Sequence, residues 1–293
     1  MDSKIRFLRK CTVFLSLGLF LSGFALTAFA QETQEKGTTT ESTQWRRKPA
    51  FAFKLGAFFP STAATLRVDR TVPGGGTVEG TEVSLENDLG LAKNATTLRL
   101  DGDIRIASWF SLDLGYYGLN RSKSSVIDKD IQIGDTVFSL NQTIDTSLNL
   151  STYRADFKFY LVHNSRLDFG VYAGVYLTHF KLTFKAMEID RELLEIRRLW
   201  APIPSLGLHF SYALIPNLYL YGKAGYFYLK PSKRTTFNSF TLNVNLDYYF
   251  YKFLGIGARY EYGGFKYDLD VASYHGMIKY NVGGFNTYLT IGF

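Results

Sequence analysis

The chain has 293 residues, a formal net charge of +7 and one cysteine, Cys11. The first 30 residues carry four positive charges and one negative charge, which leaves +4 for residues 31–293, too little to indicate nucleic-acid binding. Phe and Tyr number 25 and 20 against only 7 Pro, and this composition favours strands because aromatic residues suit a pleated surface.

Residues 1–30 have the pattern of a secretory signal peptide. A basic N-terminus precedes an apolar stretch over residues 12–29, and Ala28-Phe29-Ala30 is an A-x-A cleavage site. The stretch is also long enough for a retained inner-membrane anchor, which needs ~20 apolar residues. The cleavage site and the polar segment after it favour export. Cys11 is removed with this segment, so we expect no disulfide and no cysteine metal ligand in the mature chain.

Residues 31–49 (QETQEKGTTTESTQWRRKP) are polar and rich in Thr, without apolar periodicity. They predict a disordered periplasmic tail. After residue 30 no apolar run reaches the length of a spanning helix. Any membrane insertion must therefore use strands.

From residue 50 to residue 293 apolar residues alternate with polar or small ones, the period of strands with two different faces. We predict an all-β, antiparallel transmembrane barrel of about ten strands, the even number that suits two periplasmic termini. Eight or twelve strands would follow if segment 60–94 were misassigned. The predicted strands cover residues 51–59, 95–106, 112–117, 141–161, 167–175, 206–212, 218–226, 240–248, 254–260 and 284–293.

The predicted turns differ in length at the two ends of the barrel. Those after strands two, four, six and eight are short, and those after strands one, three and five are long, as expected of periplasmic turns and extracellular loops. A soluble β-sandwich or lipocalin-like barrel would alternate as well, with its apolar face inward. Aromatic residues at the strand ends favour the outer membrane of a Gram-negative bacterium.

The last strand ends on a phenylalanine, which is typical of outer-membrane barrels. Phe285, Leu289, Ile291 and Phe293 share its apolar face. We expect these residues to be the C-terminal signal for the barrel-assembly machinery.

If the apolar faces meet lipid, the opposite faces line the interior, and the charged residues there are its candidate lining. A barrel of this size is almost filled by side chains, and buried charges need partners. The interior is then either ion-paired and closed or a narrow polar conduit for ions or small solutes; a third alternative is an apolar-solute passage opening sideways between strands. The candidates are Arg99, Asp101, Asp103, Arg105, Asp113, Arg154, Asp156, Lys158, Asp168, Lys223, Asp247, Arg259 and Glu261.

One short motif raises the alternative of a barrel hydrolase, similar to a lipid A deacylase or a phospholipase. His209 and Ser211 share the inward face and resemble the His-x-Ser of lipid A deacylases. They precede a periplasmic turn, away from outer-leaflet lipid, and Tyr212-Ala213 replaces the Ser-Asn pattern of that family. We expect no catalytic residues and no cofactor. We also expect no metal site, because no cluster of histidines has the spacing of metal ligands.

Segment 188–200 (EIDRELLEIRRLW) mixes apolar and charged residues at roughly helical spacing. It predicts either a short amphipathic helix on the outer surface or an extended hairpin. Arg191, Arg197 and Arg198 are suited to meet the phosphates of lipopolysaccharide.

The signal peptide, the alternating strands and the ending Tyr288-Leu289-Thr290-Ile291-Gly292-Phe293 resemble the OmpA/OmpW-like superfamily of small outer-membrane β-barrels. Residues 58–60 (FFP), 85–91 (LENDLGL) and 99–102 (RLDG) resemble a group of uncharacterised bacterial outer-membrane proteins, and the resemblance covers residues 50–293. It implies small-solute passage. We expect a structural barrel or a narrow channel, non-enzymatic, whose loops contact lipopolysaccharide or partners; the oligomeric state stays open.

Overall fold

The computed structural model describes residues 49–72, 76–128, 130–133, 136–138, 141–188, 191–230, 235–271 and 274–293. The predicted signal peptide and all but the last residue of the predicted tail lie outside the described residues. Within the described ranges no helix combines the length and the hydropathy that crossing a membrane requires.

The described residues form fifteen strands, and most of them coincide with segments of alternating apolar residues. They are β1 (Phe51–Val68), β2 (Arg70–Val72), β3 (Gly76–Val78), β4 (Val83–Ser84), β5 (Thr97–Ala107), β6 (Phe110–Val126), β7 (Ile131–Ile133), β8 (Thr136–Phe138), β9 (Thr143–His163), β10 (Leu167–Glu188), β11 (Arg191–Ile215), β12 (Leu218–Leu229), β13 (Thr236–Tyr249), β14 (Leu254–Val271) and β15 (Tyr274–Gly292).

Ten strands close into an antiparallel barrel. Strands β1, β5, β6 and β9 to β15 pair in this order, and β15 pairs back to β1. At the closure, Phe51 and Phe293 exchange backbone hydrogen bonds of 3.0 and 2.8 Å. The predicted fold and the predicted number of ten strands are confirmed. The short pairs β2–β3 and β7–β8 lie outside the barrel sheet, and β4 adds to β1.

The two ends of the barrel differ. At the end that carries residues 49 and 293, here the terminal end, only two to four residues separate consecutive strands, at 108–109, 164–166, 216–217 and 250–253. At the other end, here the far end, long connections follow β1 and β6, as predicted. The prediction of a long loop after the fifth barrel strand, β10, is wrong, because β10 and β11 stay paired as far as Glu188↔Arg191. The described residues of segment 188–200 therefore belong to an extended hairpin and not to a helix.

The longest strands exceed what a membrane crossing needs. Strands β9, β10 and β11 have 21, 22 and 25 residues, whereas a transmembrane strand needs ~9–11. Among the described residues, the large apolar side chains exposed on the outside lie mainly in the half near the terminal end; Val126, at the far end of β6, is an exception and is 62% exposed. This apolar band includes Phe53, Leu55, Leu100, Leu114, Phe157, Val171, Val175, Leu208, Leu246, Ile256, Leu289 and Ile291.

The apolar face changes sides partway along these strands. On β9, Phe157 points outward and is exposed, whereas Leu150 and Leu148, nearer the far end, are buried inside the barrel. The outward positions there are taken by Asn149 and Ser147. The pairing of β9 with β6 runs from residue 143 to residue 159 without a register shift, so no bulge causes the change. The wall therefore continues beyond the apolar band as a water-facing extension.

An apolar cluster fills the extension, and we call it the outer core. Segment 83–94 completes the wall beside it, because β5 begins only at Thr97, opposite Phe58, and β4 pairs with β1 beyond that point. Glu86 fixes the segment by accepting hydrogen bonds from Arg121, at 2.7 Å, and from the backbone nitrogen of Ala64, at 2.8 Å. Buried members of the outer core include Phe58, Leu85, Leu89, Leu91, Tyr117, Leu119, Ile144, Leu148, Leu150, Leu182, Phe184, Ile203, Phe237, Phe265 and Tyr280.

Candidate functional site

The thirteen charged candidates all lie on the inward side of barrel strands, within the half that carries the apolar band outside. Strand alternation directs them inward, since their neighbours along each strand face outward. Arg99, Asp101, Asp113, Arg154, Asp156, Asp168, Lys223, Asp247 and Arg259 are buried, and Asp103, Arg105, Lys158 and Glu261 are half-buried. The sequence interpretation missed Lys54, which is only 3% exposed. Lys54 lies between the outward-facing Phe53 and Leu55, so strand alternation predicts that its side chain points inward.

Asp101 is the centre of the charge network. Its two carboxylate oxygens accept hydrogen bonds from Arg99, at 3.0 Å, from Arg154, at 2.8 Å, and from Arg259, at 2.7 Å. Arg99 also donates to Glu261. The side chains of Asp101 and its three guanidinium partners are only 2–5% exposed, so these charges depend on one another rather than on water.

Lysines pair with the carboxylates nearer the terminal end. Lys158 lies 3.0 Å from Asp113 and 3.1 Å from Asp103. Lys54 Nζ donates to Asp247 over 2.8 Å.

Lys223 pairs with Asp156. With Lys54 added, the interior set balances: the cations are Lys54, Arg99, Arg105, Arg154, Lys158, Lys223 and Arg259, and the anions are Asp101, Asp103, Asp113, Asp156, Asp168, Asp247 and Glu261.

A smaller group closes the interior near the terminal end. Asp168 Oδ2 accepts from Arg105 at 2.9 Å, and Asp168 Oδ1 lies 2.6 Å from His163 Nδ1. The Arg105 guanidinium stacks over the ring of Tyr160, 4.5 Å from its centroid, and Tyr160 shares a 2.8 Å hydrogen bond with Ser111. The charges at this end are thus held by partners as well.

The space left among these charged groups is small. A cavity of about 80 Å³ lies between the groups just described and is lined by Lys54, Asp113, Lys158, Lys223, His209 and Ser211 among others. It can hold a few water molecules, whereas small-molecule sites usually measure ~300–1,000 Å³.

His209 and Ser211 are both buried on the inward face, as their spacing predicted. His209 Nε2 lies 3.4 Å from the Phe159 carbonyl oxygen, and Ser211 Oγ donates to Asp168 Oδ2 over 3.4 Å. The His209 ring packs edge-on against Tyr160, with the ring centroids 5.0 Å apart. Each side chain therefore has a partner that fixes it in the wall. Among the described residues no group of three His, Cys, Asp or Glu side chains is arranged to hold a metal ion.

Glycine leaves room for one of the buried carboxylates, which gives a testable prediction. A Cβ atom at Gly174 would lie 2.0 Å from Asp156 Oδ1, whereas at Gly102 nothing lies within 4 Å. We expect Gly174→Ala to lower the free energy of unfolding by about 1–3 kcal/mol, the usual range for overpacking. Gly102→Ala, its control, should leave stability unchanged or slightly raised. Urea unfolding of the two refolded variants measures the difference, and equal effects would contradict the packing argument.

The chain matches no protein-family model and no curated protein. Its fold is similar to that of the outer membrane protease OmpT from Escherichia coli, with 14% identity over 87% of this chain and 99% of that chain and a TM-score of 0.54. The translocator domain of the autotransporter NalP from Neisseria meningitidis also matches, with 14% identity over 83% of this chain and 88% of that chain and a TM-score of 0.45.

The closed ten-strand sheet, the apolar band and the likeness to OmpT define the class of fold: this chain has the fold of an outer-membrane β-barrel protein. Within that class, its own features are an ion-paired interior and a water-facing extension filled by the outer core.

Proposed function

We propose that the protein is a closed structural barrel, exported by its signal peptide and related to the OmpA/OmpW-like superfamily. The observation that carries this proposal is the outer core, which lies in series with the ion-paired interior. A polar solute would have to pass between the packed side chains around Phe58, Leu89 and Phe184, each fully buried. An apolar solute would have to cross the charged network around Asp101. The outer core would therefore block polar solutes, and the charged network would block apolar solutes.

A narrow channel for ions or small solutes is the second candidate. The cavity of about 80 Å³ among Lys54, Lys158 and Lys223 supports it, because it is polar and large enough for water. Conduction would require segment 83–94, with its buried residues Leu85, Leu89 and Leu91, to move away from the rest of the outer core.

Planar-bilayer recordings distinguish the two candidates. The wild-type barrel, shown to be folded by its heat-modifiable gel shift and inserted by co-flotation with vesicles, should give no discrete conductance steps. The variant L85S/L89S/L91S removes three of the four buried apolar side chains of segment 83–94, leaving Val83, and should conduct. The control N87S/K93S changes exposed residues of the same segment and should stay silent.

Discrete steps from the folded wild-type protein would overturn the closed barrel and favour the channel. If the triple variant is folded and inserted yet silent, the outer core is not the barrier, and the proposal in this form fails.

We further infer a non-enzymatic role without nucleic-acid partners. The hydrogen bond from Ser211 to Asp168 and the position of His209 in the wall support a structural use of both residues.

The outward positions of Phe285, Leu289, Ile291 and Phe293, which are 63, 57, 39 and 71% exposed, support contact with the barrel-assembly machinery. The polar outer wall of the extension supports contact with lipopolysaccharide at the cell surface.

A further inference from the structure

A pair of like charges lies on the outer wall, just above the apolar band. Lys181 on β10 and Arg198 on β11 are directly opposite each other. Both face outward: Lys181 is half-buried and Arg198 is exposed. Neither forms an ion pair with any residue that the structure describes. Like charges in this arrangement repel each other and destabilise the strand pair, so an anion between them would be stabilising.

The described residues next to this pair on β9 and β10 include no competing carboxylate. On the other side of Lys181, β9 presents Asn149 directly opposite. The outward residues of β9 one step toward either end are Ser147 and Ser151, and the next outward residue of β10 is Thr183. These side chains are neutral hydrogen-bonding groups, which suit a phosphate and leave its charge to the two cations.

An aromatic pair lies one step below, toward the apolar band. His179 and Trp200 are also directly opposite, and their rings stack with centroids 4.5 Å apart. Trp200 is 51% exposed, as is common for Trp at the boundary between lipid tails and headgroups. One step further down, Leu177 faces Pro202 within the apolar band. Along one line of the wall the surface thus changes from lipid-facing to aromatic to cationic.

We propose that Lys181 and Arg198 form a binding site for a phosphate of an outer-leaflet glycolipid, the phosphorylated headgroup of lipopolysaccharide. Successive outward residues on a strand are about 7 Å apart, so the cations lie one step above the aromatic boundary, at the height of the headgroups. Cβ atoms opposite each other are about 5 Å apart, which lets the Lys181 ammonium and the Arg198 guanidinium reach one phosphate together. The acyl chains would lie below, against Trp200 and Leu177. This site deepens the surface-contact part of the proposed function and is independent of whether the barrel is closed.

The opposite wall supplies a matched control. Lys266 on β14 and Lys279 on β15 are also directly opposite, and again one is half-buried and the other exposed. Here, however, Asp268 lies 3.2 Å from Lys266 and neutralises part of the charge. The double variants K181A/R198A and K266A/K279A therefore remove the same charge from two walls. Only Lys181 and Arg198 form an unneutralised pair above an aromatic boundary.

The reporter is Trp200 itself. The chain has three Trp residues, and in the variant W45F/W109F Trp200 is the single remaining tryptophan. Diphosphoryl lipid A, added to this refolded barrel in detergent, should change the Trp200 emission saturably. K181A/R198A in the same background should weaken the apparent affinity at least tenfold, and K266A/K279A should alter it by less than twofold. Native mass spectrometry of retained lipid A provides a second readout, and the heat-modifiable gel shift verifies folding of each variant.

Dephosphorylated lipid A and inorganic phosphate are the remaining probes. Weak binding of both supports a phosphorylated lipid as the occupant. If dephosphorylated lipid A binds as well as the diphosphoryl form, the phosphate site is overturned. If inorganic phosphate alone saturates the site, the lipid is not the source of the phosphate. If the two double variants lose affinity equally, the contact is general electrostatic attraction and not a site. If wild-type protein retains no lipid A by either readout, surface contact with this lipid fails as well, whereas the closed barrel stands or falls by its conductance.

Discussion

Replacement of Asp101 by Ala should cause one of the largest losses of stability available from a single substitution in this chain. Three buried guanidiniums lose their shared acceptor at once. In the described part of the chain, Arg259 keeps one hydrogen-bond acceptor, the Asn245 amide oxygen at 3.1 Å, and its contact with the Tyr288 ring. Removing one partner of a buried ion pair typically costs about 3–5 kcal/mol, because the other charge stays buried without compensation. Urea unfolding of the refolded barrel in lipid vesicles, followed by Trp fluorescence, measures the free energy of unfolding.

Two further variants separate charge burial from loss of a hydrogen bond. Asp101→Asn keeps an acceptor oxygen and should destabilise, but less than Asp101→Ala. Asp268→Ala breaks the ion pair between Asp268 and Lys266, whose side chains are 32% and 42% exposed. It should lower the free energy of unfolding by less than about 1 kcal/mol, because water solvates the exposed Lys266 charge. If Asp101→Ala and Asp268→Ala cost the same, the interior network contributes no more than a surface pair.

The inward position of the charged residues could be predicted because alternation alone determines it. A period of two assigns every second residue to one face, and the thirteen charged candidates lie on the inward side. Their partners could not be predicted. Lys54 and Asp247 are separated by 193 positions, and Arg99 and Glu261 by 162. These pairs depend on strand tilt and on side-chain reach across the barrel, which periodicity does not encode.

The outer core was missed for a different reason. The sequence interpretation gave each strand one apolar face, but on β10 the apolar residues change from odd positions, such as Val175 and Leu177, to even ones, such as Leu182 and Phe184. The same change on β9 leaves the strand period intact. A reversal of apolar parity without a bulge marks the point where the outside changes from lipid to water, because each environment selects the opposite face. The sequence contains this signal, and it would have predicted both the extension and its core.

The outer core should also be needed for stability, and two adjacent residues of β1 test this. Phe58 is fully buried where the outer core meets the charged interior, with its ring 5.3 Å from the ring of Tyr117 and 5.3 Å from the Arg99 guanidinium. Phe58→Ala should lower the free energy of unfolding by about 3–5 kcal/mol, because it leaves a cavity among packed side chains. The measurement is urea unfolding in vesicles.

Phe59, the next residue, faces outward and is 46% exposed. Phe59→Ala removes the same atoms, but lipid tails fill the space, so no cavity remains and the loss should be about half as large or less. The comparison is strict, since strand, residue type and substitution are the same and only the face differs. Equal losses would mean that the far-end interior is no better packed than the lipid boundary, and the outer core could then not be the barrier on which the closed barrel depends.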